Sequence, residues 1–283
     1  MTKQNKAFKF RLYPNKEQEE LLAKTFGCVR FVYNKMLAER KEIYEKFKDD
    51  KEKLKEQKFP TPAKYKDEFP FLKEVDSLAL ANAQIHLQNA YKNFFEGRAG
   101  FPKFKSKKHK QSYTTNMVNG NIKIEDGHIK LPKFKKPMKM KQHREIPVVH
   151  KIKSCTISKT KTGKYYISIL TEYEKDIRPV KIQKVVGLDF AMDGLYVDSE
   201  QGEKANYPRY YRQALDKLAK AQRILSRRKK GSTRWEKQRL KVAKLYEKTA
   251  NQRRNFLHHK SKELAANYDA VIIEDLDMKG MSQ

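Results

Sequence analysis

Val185-Val186-Gly187-Leu188-Asp189-Phe190 is a short apolar run that ends in a carboxylate. After Ala191-Met192-Asp193-Gly194 a second strand-like run begins at Leu195-Tyr196-Val197. Asp193-Gly194 is a turn dipeptide, so the two runs read as a hairpin. A carboxylate at the end of a buried strand is costly unless something pairs with it, and a divalent cation is one such partner. The pattern recurs 85 residues later, in Ala270-Val271-Ile272-Ile273-Glu274-Asp275-Leu276. If the two strands lie side by side, Asp189 and Glu274 converge and can hold Mg²⁺ through hard oxygen ligands. Two such ions would clamp a phosphodiester. The other reading is that both acids merely end ordinary strands.

Composition weighs on that choice. The chain has 283 residues, with 64 Lys and Arg against 34 Asp and Glu, for a formal charge of +30. Such an imbalance opposes the compact state unless a polyanion neutralises it, and nucleic acid is the natural candidate. An anionic membrane is the competitor, but the sequence holds no apolar run of membrane-spanning length and no signal-peptide core. The two cysteines, Cys28 and Cys155, suggest neither a disulfide framework nor a cysteine zinc site and read as small apolar core groups. These features point to a reduced, cytoplasmic protein that binds nucleic acid.

Outward from the organising stretch, Lys6–Tyr13 alternates apolar and basic residues, which predicts a half-exposed strand stopped by Pro14. Asn15 suits a helix N-cap, with Gln18 at the third helical position. Apolar residues from Leu21 to Leu37 then recur at helical spacing as far as about Phe47. Gly27 within them leaves two readings open, a helix-turn-helix or a plain helical packing unit. Ser77 fits the N-cap of another helix, with Leu80, Leu87, Tyr91, Phe94 and Phe95 as its apolar stripe. Its opposite face carries Asn82, Gln84, His86 and Asn89, which could read base edges or simply meet water. From Ser112 to Glu172 the period switches to two, with hairpin turns at Asp126-Gly127 and Gly163. Together with the first strand this predicts a small barrel or sandwich, interrupted by a helical insertion over residues 16–110.

Two segments carry concentrated charge. Between residues 98 and 110, Arg98, Lys103, Lys105, Lys107, Lys108 and Lys110 interleave with Phe101 and Phe104. Cations can neutralise phosphates there and rings can stack on bases. Residues 204–262 hold 20 Lys and Arg and three acids, a net +17, in a helical pattern broken at Gly231-Ser232. This predicts an antiparallel helical hairpin, with one stripe through Leu215, Leu218, Gln222 and Leu225 and another through Leu240, Ala243, Tyr246, Ala250 and Leu257. Solvation alone does not require so many uncompensated charges, so the hairpin reads as a phosphate-tracking surface. Its densest cluster is Arg227-Arg228-Lys229-Lys230 at the tip, with Arg253 and Arg254 on the second helix.

The residues also resemble a known family. Lys6-Ala-Phe-Lys-Phe-Arg-Leu-Tyr-Pro-Asn15, Arg30-Phe-Val-Tyr-Asn34, Ala90-Tyr-Lys-Asn-Phe-Phe95, Gly100-Phe-Pro-Lys-Phe104, Leu225-Ser-Arg-Arg-Lys-Lys-Gly-Ser232 and Asp189 with Glu274-Asp-Leu276 occur in the order and approximate spacing of the TnpB-type (OrfB) proteins. These are transposon-encoded RNA-guided nucleases related to type V CRISPR effectors. The resemblance implies an α+β multidomain chain. Its parts would be a split wedge β-barrel (1–15 and 111–180), an inserted helical recognition lobe (16–110) and a RuvC-like, ribonuclease-H-fold domain (181–283).

It further implies a guide RNA, a double-stranded DNA partner with a short adjacent motif, and Asp189 and Glu274 as catalytic metal ligands. The motif readers would fall at Ser77, Ala81, Thr115 and Asn116, with Tyr113 on the same strand also meeting nucleic acid. Ser77 and Ala81 are too short for bidentate base contacts, which favours the strand positions. Family members carry a four-cysteine zinc ribbon and a third catalytic aspartate beyond the Glu-Asp-Leu strand. This sequence has no CxxC and ends at Gln283, nine residues after Glu274. The expectation is therefore a truncated member without zinc, with an incomplete metal site and deficient in cleavage. The alternatives are a non-cutting RNA- and DNA-binding regulator and a general RNA-binding protein.

The charge pattern makes a direct prediction. The purified chain should carry nucleic acid with an affinity that falls steeply as salt rises. Replacing Arg227, Arg228, Lys229 and Lys230 together with alanine should flatten that dependence in a salt titration of binding. An unchanged slope would put the phosphate track elsewhere.

Overall fold

The computed structural model describes residues 2–57, 59–177, 181–191, 193–200, 202, 204–277 and 280, and the chain divides into two compact units, 1–176 and 177–283. In the first, β1 (Thr2–Tyr13) is followed by α1 (Lys16–Phe47), α2 (Lys51–Glu56), α3 (Tyr65–Glu68), a 3₁₀ turn (Pro70–Glu74) and α4 (Ser77–Phe95). Then come β2 (Gln111–Asn116), β3 (Lys123–Glu125), β4 (His128–Lys130), β5 (Met138–Lys141), β6 (Lys151–Lys159) and β7 (Tyr165–Lys175).

The seven strands pair in the order β2-β6-β7-β1-β5-β4-β3. The N-terminal strand thus lies inside a sheet whose other members begin some hundred residues later. It pairs antiparallel with β7 from Thr2↔Lys175 to Leu12↔Tyr165, and with β5 from Arg11↔Lys141 to Tyr13↔Lys139. The expected split around a helical insertion is present. The described strands curl as a half-barrel and leave β2 and β3 as open edges.

Alternation sets the two faces of this sheet. Phe8, Phe10 and Leu12 of β1, Tyr113 and Thr115 of β2, Cys155 and Ile157 of β6 and Ile167 and Ile169 of β7 all turn inward. There they share one core with α1 and α4. Both cysteines are buried in it, and burial pushes the Cys155 thiol up to about 12. The hairpin turn at Asp126-Gly127 has positive φ at both residues, 44° and 68°, the backbone that a two-residue turn between twisted strands requires.

α1 starts as its sequence predicts. Asn15 Oδ1 accepts from Gln18 N at 2.9 Å, and Gln18 Oε1 accepts from Asn15 N at 3.0 Å, a reciprocal cap. Gly27 does not break the helix, which runs 32 residues without interruption. Glycine costs about 1 kcal/mol in a helix interior. Burial of its neighbours Phe26, Cys28, Val29 and Val32 outweighs that cost.

α4 is capped by Asp76 rather than Ser77. Asp76 is buried, accepts from Leu78 N through one oxygen and takes the Thr115 hydroxyl of β2 at 2.5 Å on the other. The expected stripe also needs correction at its end, since Phe95 is 78% exposed. Asn82, placed by sequence on the outer face, is buried and donates to Leu78 O.

The second unit contains β8 (Val185–Phe190), β9 (Tyr196–Asp198), α5 (Tyr210–Ser226), α6 (Thr233–Asn267) and β10 (Ala270–Ile273). Its sheet has the order β10-β8-β9, with β10 parallel and β9 antiparallel to β8. α5 and α6 form the predicted hairpin, with Ser232 capping α6 by accepting from Trp235 N. The seam between them keeps Leu218 of the expected stripes and otherwise differs from them. Leu218, Ala221, Gln238 and Val242 are its buried residues, whereas Leu215 and Leu257 are exposed. Gln238 Nε2 donates to Ala221 O at 2.8 Å across the seam. Among the described residues no helix is long and apolar enough to cross a membrane.

The Asp76 arrangement yields a stability prediction. Asp76→Ala removes a helix cap, worth about 1 kcal/mol, and leaves a buried threonine hydroxyl without its acceptor, at about 1–3 kcal/mol. Urea unfolding of the first unit's transition should show a loss within about 2–4 kcal/mol. A change below a few tenths would mean that water serves Thr115 equally well.

Candidate nuclease centre and nucleic-acid surfaces

The parallel pair β8–β10 builds the acidic site. Its Cα register runs from Ala270↔Val185 to Ile273↔Leu188, and Asp189 and Glu274 each follow the last paired residue of their chain segment. Both acids are exposed and line one cleft with Gly187, Leu188, Val197, Asp198, Ser199, Ile272 and Ile273. The hairpin β8–β9 forms as predicted, with Asp189 opposite Val197.

Two further acids hold this arrangement in place. Asp269 accepts from the backbone N–H groups of Gln183 and Lys184, each at 3.0 Å. Asp269 N and Ala270 N in turn donate to Lys184 O. This clamp sits at the first residues of the pair and fixes which residue of β10 meets which of β8. The two N–H donors hold the Asp269 carboxyl below the usual carboxylate range.

Asp193, in the turn after β8, is bound by Lys204 Nζ at 2.8 and 2.9 Å, and that ammonium lowers its pKa. Its carbonyl accepts from Arg209. Asp193 is therefore committed to the turn and not to the cleft. Among the described residues no group of three His, Cys, Asp or Glu gathers as a metal-holding cluster.

The donor chemistry of the cleft suits a hard divalent cation. Two carboxylates side by side repel one another in the absence of a cation, and oxygen-only donors match Mg²⁺. β10 is poorly covered, with Val271, Ile272 and Ile273 at 40%, 63% and 70% exposure, while Val186 of β8 is fully buried.

The basic surfaces divide into those left open and those already engaged. At the hairpin tip, Arg227, Lys229 and Lys230 are exposed, and Arg228 donates to Arg234 O, fixing the turn. Arg253 and Arg254 are exposed on α6. The loop of residues 98–110 is anchored to α1. Asn34 Nδ2 donates to Lys105 O at 2.9 Å and its Oδ1 accepts from Lys105 N at 2.8 Å. The Lys105 ammonium lies 3.9 Å from the Tyr33 ring centroid, and the desolvation there lowers its pKa. Arg98 pairs with Glu96, and Lys103 is exposed. Phe101 packs edge-on against Tyr91 and Phe94, which leaves Phe104 the freer ring.

The strand positions expected to read DNA require correction. Thr115 is fully buried and bonded to Asp76, and Tyr113 is buried against Phe26. Burial raises the Tyr113 phenol pKa strongly. Neither residue presents a surface to a nucleic acid in this structure, because both fall on the inward phase of β2. Asn116, on the outward phase, is half-exposed, with its side chain 3.4 Å from Asn82 Nδ2.

Comparison with known proteins fits this layout. A cryo-EM structure of a Cas12f1–sgRNA–target DNA complex superposes with a TM-score of 0.57 at 11% identity, covering 97% of this chain and 82% of that one. That likeness is one of fold. Residues 1–49 match a family model described as a helix-turn-helix domain, although here they form β1 and the uninterrupted α1. Residues 168–283 match one described as "Probable transposase".

A "Putative RNA-guided DNA endonuclease" of Streptomyces pristinaespiralis is 34% identical over 281 residues, which cover 99% of this chain and 69% of that protein. A protein of the same description from Escherichia coli K12, InsQ, is 33% identical over 283 residues, covering 99% and 68%. The chain belongs to the TnpB-like (OrfB) family of transposon-associated RNA-guided DNA endonucleases.

Asp269 escaped the sequence reading, because an acid just before an apolar run looks the same whether it clamps a backbone or meets water. Its role is testable. Asp269→Ala should lower hydrogen-exchange protection of the Val271–Ile273 amides, and Asp269→Asn, which keeps an acceptor oxygen, should restore part of it. A depressed folded pKa contributes stability above the ordinary carboxylate value of about 4, lost as pH falls through the lower folded value. Protection in the unaltered chain should therefore decline only at acid pH. Equal protection in all three proteins would remove Asp269 from this role.

Proposed function

We propose that this chain binds a guide RNA and double-stranded DNA carrying a short adjacent motif, with Asp189 and Glu274 as two ligands of a Mg²⁺ site in its RuvC-like domain. The observation that supports this most is the parallel β8–β10 pairing, just beyond which the two acids follow and line one cleft. When bound, Mg²⁺ would supply charge neutralisation at a phosphodiester and a more acidic water. The protein's own part is to present two hard oxygens from adjacent strands, with the Asp269 clamp holding their register. The basic hairpin and the loop of residues 98–110 would hold the nucleic-acid backbone through Arg227, Lys229, Lys230, Arg253, Arg254, Lys103 and Lys105. The finer division into a wedge (1–15 and 111–180), a recognition lobe (16–110) and a nuclease part (181–283) belongs to the same proposal.

A second reading, binding without cutting, is favoured by one observation. The only other acid in the turn after β8, Asp193, is held by Lys204. Of the three acids that line the cleft, Asp189, Asp198 and Glu274, two are proposed here as ligands. Mg²⁺ keeps most of its water when protein ligands are few, and binding is then weak. Losing one electrostatic contact to a transition state slows chemistry by about 10²–10³-fold.

The polypeptide of these 283 residues should therefore bind nucleic acid and cut it negligibly, even with guide RNA, target DNA and Mg²⁺ or Mn²⁺ supplied. The test is a guided cleavage assay run beside an Asp189→Ala control. Specific cleavage that vanishes in the control would overturn the claim and point to Asp275 as a further ligand.

A further inference from the structure

The second unit holds a cavity that neither the acidic cleft nor the cations of the hairpin tip use. It lies where the turn after β8 meets the start of α5 and has a volume of about 310 Å³. Phe190, Tyr207 and Tyr211 supply its rings, and Arg209 and Arg212 its cations. Sites for small ligands run from roughly 300 to 1,000 Å³, so this one suits a single compact molecule.

Local geometry builds the cavity. Arg209, the residue before α5, has φ 49° and ψ 40°, in the left-handed region. Its Nη2 donates to Asp193 O at 3.1 Å, which ties the start of the helix to the turn. Gly194 lets the returning chain come close, because a Cβ there would meet Ala205 O at 3.2 Å. The Tyr207 ring is held edge-on by Phe256 of α6, with centroids 6.2 Å apart. Asp193, the acid in the wall, is already bound by Lys204 at 2.8 and 2.9 Å.

What remains open is ring surface and hydrogen-bond donors. Phe190 and Tyr211 are 38% and 55% exposed. Arg209 uses one N–H on Asp193 O, and a guanidinium carries five. Arg212 is exposed and forms no ion pair with another described residue. Gln213 N donates to Arg209 O, and no side chain caps the helix start, so the amides of Tyr211 and Arg212 stand outside the helix's own ladder.

Rings beside two guanidiniums and free amides ask for a flat π-system joined to a small anion. An aromatic ring stacks on any nucleobase, and a guanidinium fork matches two phosphate oxygens. Open amides at a helix start add to the pull on the anion. We propose that this cavity receives one nucleotide unit, its base against Tyr211 and Phe190 and its phosphate on Arg212, Arg209 and the first amides of α5. The unit is a free mononucleotide or one residue of a single strand. Such a site is additional to guide and target binding and does not depend on either.

The experiment irradiates the full chain with 5-iododeoxyuridine monophosphate, and separately with a hexanucleotide carrying one 5-iododeoxyuridine, and maps the crosslinks by mass spectrometry. The expected crosslink falls on residues 207–212. Deoxyuridine monophosphate should compete with it, and deoxyuridine without phosphate should not. The half-saturating probe concentration should rise about tenfold or more in Arg212→Gln. It should rise less in Arg212→Lys, which keeps the charge and loses the fork. Tyr211→Ala removes the stacking ring and should cut the yield at a fixed probe concentration about fivefold or more. Both side chains are exposed on α5, and unchanged circular dichroism of the variants guards against a folding defect.

Crosslinking of both probes to this segment supports a site open to free nucleotides. Crosslinking of the hexanucleotide alone, weakened by the same variants, supports one that takes its nucleotide from a strand. Competition by inorganic phosphate as strong as by deoxyuridine monophosphate would reduce the cavity to an anion site and overturn the inference. Crosslinks confined to other parts of the chain, or none from either probe, would overturn it as well and leave the guide RNA reading standing.

Discussion

Uncompensated positive charge is the constraint under which this chain folds. With 64 basic and 34 acidic residues, it must separate like charges or find counter-charge outside itself. The structure does the first by distribution. Cations occupy the outward phase of β1 and β5 and the exposed positions of the α5–α6 hairpin. It holds several of them over rings instead of carboxylates, as at Arg11, Arg40, Lys41 and Lys105. A ring face attracts a cation without cancelling its charge.

Several of the 34 acids have an identifiable structural use. Asp76 ties α4 to β2, Asp193 fixes the turn after β8 through Lys204, and Asp269 sets the β8–β10 register. Asp189 and Glu274 are different, because they line one cleft, and among the described residues neither has an ion-pair partner. In a strongly basic chain that pairing runs against the general trend, and a divalent cation, as proposed above, would relieve it. The positive surfaces and this acidic pair thus suit the same ligand system, a polyanion and the metal that accompanies its phosphates.

Much of this was legible in the sequence where local chemistry decides the outcome. The Asn15–Gln18 cap, the Asp126-Gly127 turn, the hairpin break at Gly231-Ser232 and the two strand-end acids all form as their residues dictate. What stayed hidden depends on partners distant in sequence. β5, Met138–Lys141, is short and follows Pro137, and becomes a strand only because β1 and β4 receive it. The hairpin seam at Leu218, Ala221, Gln238 and Val242 includes a glutamine and an alanine, so hydrophobic periodicity finds Leu218 and misses the other three. Tyr113 and Thr115 look like polar strand residues suited to DNA, yet their phase on β2 turns them into the core, where Phe26 and Asp76 satisfy them. Family resemblance supplied a role for those positions that the strand's alternation does not allow.

The proposed function requires this basic chain to carry a particular RNA. The most direct measurement is to purify it from cells expressing its native locus and sequence the RNA that comes with it. One discrete, structured RNA species, strongly enriched over the cellular pool and lost at high salt, is the result this account predicts. A bound population that mirrors total cellular RNA, or no bound RNA at all, would contradict it.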